Sequence, residues 1–158
     1  GKAVLDVFNR THEETDYLLT YSDENCFTAS QEADFLQRKT DSTNTVEIIA
    51  IVDGVVAGTA GIDALGMRDK IKHRAVFGIA ITKEFWGLGI GKYLMEACIE
   101  CAREAGYLQL ELEVVAENER AVEMYRRAGF IEYGRNPKAF RLRTGEYQEL
   151  IDMRLELK

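Results

Sequence analysis

The spacing of hydrophobic positions changes period several times along the chain. Apolar residues recur at helical spacing first at Val4, Leu5, Val7 and Phe8, then within "TASQEADFLQRK" at Ala33, Phe35 and Leu36. Thr28 or Ser30 stands where that second helix needs an N-cap. The run "TVEIIAIVDGVVAGTAGI" then reads as two strands joined at Asp53-Gly54, a pair suited to a type I′ turn because both residues tolerate positive φ. After the polar loop "GMRDKIKHR", the segment "AVFGIAI" is a third strand, apolar enough to be covered on both faces. Helical spacing returns at Leu94, Ala97, Cys98, Cys101, Ala102 and Ala105, with Gly106 placed to end the helix in a left-handed conformation. In "LQLELEVV" the residues Leu108, Leu110, Leu112 and Val114 alternate with Gln109, Glu111 and Glu113, which predicts a strand with one polar face. Asn118 is positioned to cap a further helix with Ala121, Val122, Tyr125 and Ala128 on its stripe and Gly129 at its end. A closing hairpin turns at Thr144-Gly145. The elements predict an α/β protein: two helices, three strands, then helix, strand, helix and a final strand pair.

Composition narrows this picture. A chain of 158 residues with a single proline, no repeat and no linker is expected to form one domain spanning 1–158. No long uncharged apolar run occurs and "GKAVLDVFNR" lacks the apolar core of a signal peptide, so no membrane partner is expected and the expected location is cytoplasmic. Three cysteines suit a reducing compartment, and the Cys98-x-x-Cys101 spacing falls inside a helix, where both thiols read as packing residues. His12 and His73 have no second ligand at metal-site spacing, so no metal is expected. A net charge of -7 disfavours nucleic acid, whose binders need a basic footprint. Arg135, Lys138, Arg141 and Arg143 form the one basic cluster, either a solvated hairpin or a contact for substrate or cofactor. A homodimer is compatible with this sequence.

Candidate chemistry centres on "FWGLGIGKYL". Glycines between a strand and a helix let main-chain N–H groups approach a ligand closely, and the helix N-terminus adds unpaired donors and partial positive charge. That combination is an anion site, most naturally for phosphate. It is not a P-loop, for the spacer and the Ser or Thr after lysine are missing, and not the dinucleotide fingerprint, whose third glycine would fall on Lys92. A glycine-softened turn without ligand is the plain alternative.

Together, "GIAITKEFWGLGIGKYLM" and the later "VAENERAVEMYRRAGF" resemble the GNAT N-acetyltransferase superfamily over roughly Thr45 to Leu157. The resemblance implies a mixed, mostly antiparallel sheet that splays between the strand at Ala75 and the strand at Leu108, with helices on both faces and acetyl-CoA in the gap. It implies that Ile79, Ala80 and Ile81 and the loop Trp86, Gly87, Leu88, Gly89, Ile90, Gly91, with Lys92 after it, hold the cofactor, with Asn118 at a further family position. It makes Tyr125 the general acid toward the departing thiolate, a role that suits a phenol with an ordinary pKa of about 10. A core aromatic is the other reading of that residue. The sequence departs from the family in three places. Trp86 stands where many members carry Arg or Gln. No carboxylate occupies Ala75-Val76-Phe77, so the general base is unassigned; Glu111 and Glu113 could act through water or form a solvated strand face, and Asp63 ranks below them. The opening strand usual in the family is apparently missing, either absent or upstream of Gly1. The expected activity is transfer of acetyl from acetyl-CoA to a primary amine of a small molecule or protein N-terminus. A non-catalytic acyl-CoA-binding or regulatory domain and a nucleotide-binding module are the alternatives.

Overall fold

The computed structural model describes residues 1–158. Helices α1 (Lys2–Glu14) and α2 (Ala29–Thr40) precede strands β1 (Val46–Val52), β2 (Val55–Ala64) and β3 (Arg74–Ile81). Helix α3 (Ile90–Glu104), strand β4 (Gln109–Val115), helix α4 (Glu119–Arg127) and strands β5 (Ile131–Arg141) and β6 (Tyr147–Glu156) follow. Asp53 and Gly54 take φ of 49° and 80°, the two positive values that the β1–β2 turn requires. The six strands form one sheet in the order β1-β2-β3-β4-β6-β5. Every neighbouring pair is antiparallel except β3 with β4. That parallel pair is short: Arg74, Ala75 and Val76 face Gln109, Leu110 and Glu111, and beyond them the strands separate. No helix is long and apolar enough to cross a membrane.

Helices cover both faces, as expected. On one face Ala60, Ile62, Phe77, Leu110, Leu112 and Met153 pack against Leu94, Met95 and Cys98 of α3 and Val122 and Tyr125 of α4. Each such large apolar side chain contributes about 1.5–3 kcal/mol through burial, so this face dominates the stability of the sheet. On the other face lie α1, burying Val4, Val7 and Thr11, and α2.

Two local expectations are corrected. In α2, Phe35 and Leu36 are only half-buried and Ala33 is exposed; the buried residues are Glu32 and Lys39. The sheet surface beneath α2 presents carboxylates, and Lys39 Nζ reaches both Glu47 (3.0 Å) and Asp63 (3.1 Å). The helix therefore docks partly through a charge pair rather than an apolar stripe. Its N-cap is Thr28, whose hydroxyl accepts from the Gln31 N–H while Gln31 Oε1 accepts from the Thr28 N–H. In the second case Leu108 lies outside β4 and is 58% exposed, its N–H bonded to the His73 carbonyl. Val115 takes a buried place on the face expected to be polar.

Glu111 also lies on that face, but it is not solvated. Arg74 donates to it through Nη2 at 2.6 Å and Nε at 3.1 Å, clamping the paired end of β3 and β4. Glu111→Gln should lower stability by about 1–2 kcal/mol, since a charge-assisted bidentate pair is lost while Arg74 stays partly hydrated. Urea denaturation checks the value, with Glu113→Gln as the control; Glu113 faces Asp152 across β4–β6, so removing its charge should cost nothing.

Candidate active site

Where β3 and β4 separate, the main-chain groups of each strand lose their partner on the other and must be satisfied in another way. The space between them is a gap of about 1270 Å³ lined by Ile79, Ala80 and Ile81 of β3, by the loop entering α3, and by Asn118, Met124 and Tyr125 of the α4 segment. Thr82 donates its N–H to Ala57 on β2, so by strand alternation the N–H and carbonyl of Ile81 point the opposite way, into the gap. Trp86 Nε1 donates to that carbonyl at 2.8 Å, so of the Ile81 main chain the N–H alone is left facing the gap.

The loop itself is shaped by two backbone requirements. Gly87 and Gly89 both sit in the left-handed region, at φ 78° and 80°, and Gly89 is the N-cap of α3 with no side chain to bond its first-turn N–H groups. A Cβ on Gly87 would meet nothing within 4 Å, and one on Gly89 only a Tyr93 ring carbon at 3.9 Å, so the backbone there faces open space. At Gly91 the constraint is packing: a Cβ would lie 3.0 Å from Met124 Sδ and 3.2 Å from Ile81 Cδ1. Gly87, Gly89, Ile90, Gly91 and Lys92 line the gap with Trp86. Leu88 does not; its side chain is 62% exposed. Lys92 is held 3.8 Å from Glu96. Bare amides at a helix N-terminus in a long gap fit a phosphate-bearing ligand.

On the opposite wall, Asn118 caps α4, Oδ1 accepting from the Ala121 N–H at 3.4 Å. This fixes the helix that carries Tyr125. The Tyr125 ring meets Phe77 and Phe130 edge-on, with centroids 6.1 and 5.8 Å apart, and the residue is 6% exposed where it borders the gap. Burial alone pushes its phenol well above the ordinary value, with no hydrogen bond or charge contributing. Tyr125 is therefore a neutral O–H at any working pH.

The two candidate carboxylates of β4 part company. Glu111 is committed to Arg74, and neither it nor Glu113 lines the gap. Glu113 is exposed, and it is the first side chain past the split on the sheet face that also carries α1. Asp63 is engaged by Lys39. No group of His, Cys, Asp or Glu is arranged to hold a metal. Cys98 is fully buried, and burial raises its thiol to about 12, which makes it inert. In the basic cluster, Arg135 pairs with Glu132 and Glu149, and Arg143 with Asp23, while Lys138 and Arg141 lie over Tyr147.

Sequence reading missed part of the lining: Tyr17 and Leu18 from the α1–α2 connection, and Glu117, Arg120 and Met124 around α4. The α1–α2 connection has no periodicity to betray it. It is placed by contacts from afar, Arg143 donating to both Asp23 oxygens at 2.9 Å and lying 4.0 Å from the Tyr21 ring centre. Arg120 had a signal in its position two residues after a gap-lining cap.

Residues 5–130 match the family model described as Acetyltransferase (GNAT) family. The L-amino acid N-acetyltransferase AaaT of Escherichia coli (strain K12) is 32% identical over 118 residues, covering 74% of this chain and 72% of that protein. A crystal structure of an acetyltransferase of the GNAT family from Streptococcus pneumoniae superposes with TM-score 0.91 at 28% identity, over 98% of this chain and 94% of the other. At 16% identity, yncA from Salmonella typhimurium, solved with its cofactor acetyl-CoA, shares the fold with TM-score 0.87, over 99% of this chain and 88% of the other. With its splayed strands, its glycine-lined helix N-terminus and a family model spanning most of its length, the chain belongs to the GNAT acetyltransferase family.

Proposed function

We propose that this protein transfers the acetyl group of acetyl-CoA to a primary amine, with Tyr125 as general acid and Glu113 as general base acting through water. The observation that carries this reading is Tyr125: a buried, neutral phenol on the helix that closes the gap, with no other use for its proton. Acetyl-CoA supplies a thioester carbonyl open to attack and a thiolate that leaves. The amides of Gly87 to Gly91 and the N-terminus of α3 suit its pyrophosphate, and the Ile81 N–H is aimed to polarise the carbonyl. Tyr125 protonates the departing sulfur.

An attacking amine must first lose its proton. Glu113 suits this task because it is past the split, exposed and unpaired, whereas Glu111 is tied to Arg74. Two like charges placed opposite each other, Glu113 and Asp152, break a pairing rule of sheets, and such breaks concentrate at functional positions. The acceptor then comes from the α1 face, beneath Thr15, Tyr17 and Leu18. L-amino acids, the substrates named for the Escherichia coli relative, are the first acceptors to assay, and peptides with a free N-terminus the second.

Tyr125→Phe should keep packing and cofactor affinity but lower kcat by roughly 10²-fold. Because burial raises the phenol above its usual pKa of about 10, its proton is retained as pH rises, so no alkaline loss of rate up to that pH belongs to Tyr125. A thiol-release assay from pH 6 to 10 checks both points; full activity of the Phe variant would remove Tyr125 from the mechanism. Glu113→Gln should lower kcat/KM with the amine most in the acidic range, leaving stability unchanged, and an unaltered pH profile would exclude it as base. Gly89→Val should weaken CoA binding by at least tenfold more than Lys92→Ala, since a β-branched residue at φ 80° costs about 1–3 kcal/mol and displaces the amides. Isothermal calorimetry with CoA reads the difference.

A further inference from the structure

Four cations line the gap, and three of them sit beside a carboxylate of their own helix: Lys92 3.8 Å from Glu96, Arg103 3.3 Å from Glu100 and Arg127 3.0 Å from Glu123. Arg120 has no carboxylate partner. Its guanidinium carbon instead lies 5.2 Å from the centre of the Trp86 ring. That ring is not free to wander, since Nε1 is bonded to the Ile81 carbonyl. The seat is thus fixed to the end of β3 and the start of the glycine loop, while the cation comes from the first turn of α4. A guanidinium on an aromatic face keeps its N–H edge available for bidentate bonding to an oxyanion. In a gap that also exposes Glu117 and Glu119, Arg120 is the one lining cation with no carboxylate beside it; Lys83, which lies 6.0 Å from the centre of the same ring, does not line the gap.

We propose that Trp86 and Arg120 form a two-part clamp for the pyrophosphate of the acetyl donor, the indole holding the guanidinium in place and the guanidinium bonding the phosphate oxygens. The clamp rests on the assignment of acetyl-CoA as donor. It also ties the two walls of the gap together, because Arg120 and Tyr125 ride on the same helix. The grip on the phosphates therefore orients the helix that delivers the proton.

Trp86 is the only tryptophan of the chain, so its fluorescence reports on the clamp directly. Dissociation constants for CoA, 3′-dephospho-CoA and pantetheine, measured by calorimetry on folded wild type, Arg120→Gln, Arg120→Lys, Trp86→Phe and Trp86→Leu, test it. Arg120→Gln should weaken CoA and dephospho-CoA alike by about tenfold or more, flatten the salt dependence of both, and leave pantetheine unchanged. Arg120→Lys should fall between, Trp86→Leu should follow Arg120→Gln in milder form, and Trp86→Phe should retain most affinity. Wild-type fluorescence should shift with CoA and dephospho-CoA but not with pantetheine. Unchanged affinity in Arg120→Gln overturns the clamp, as does a loss confined to CoA, which would give the guanidinium to the 3′-phosphate. A wild-type chain that binds no CoA overturns the donor assignment and the clamp with it.

Discussion

Three residues of parallel pairing hold β3 to β4, and then the strands diverge. A parted pair of central strands is costly by itself, because each main-chain group left facing the gap has lost its ladder partner. The structure offsets this from both ends. Arg74 and Glu111 clamp the paired residues, and α3 and α4 pack the faces of the diverging ones through Phe77, Leu112, Met95 and Tyr125. What is left facing the gap includes the main-chain edge of Ile79 and Ile81, with Trp86 taking up the Ile81 carbonyl, so that the Ile81 N–H is free for the carbonyl polarisation proposed above.

Local order was legible in the sequence wherever periodicity or turn chemistry was strong. The Asp53-Gly54 turn, the caps at Thr28 and Asn118 and the glycine loop all follow from residue type, because each answers a local backbone need. The face assignment of β4 was legible only in part. Alternation correctly marks Leu110, Leu112 and Val114 as core, but it cannot tell a solvated glutamate from one locked to an arginine 37 positions earlier. The same limit applies to α2, where the sheet beneath presents two carboxylates and the buried partner is a lysine.

The walls of the site show the same division. The donor side is built from contiguous segments, Ile79 to Ile81 and Trp86 to Lys92, so a motif reveals it. The wall proposed to receive the amine is built from pieces with no mutual sequence signal: Tyr17 and Leu18 come from an aperiodic connection that Arg143 fixes through Asp23 and Tyr21 across more than a hundred residues. On that proposal the donor wall is local in the chain, while the amine wall is not.

A donor that belongs to the main chain has a further property. No exchange of the side chain at that position, short of proline, deletes the Ile81 N–H; a change in where the strands part would redirect it. If that amide polarises the acetyl carbonyl as proposed, the catalytic instruction is carried by topology rather than by letters. Any sequence that separates these two strands at the same residue supplies the same amide, and the acceptor face can diversify toward new amines without disturbing it.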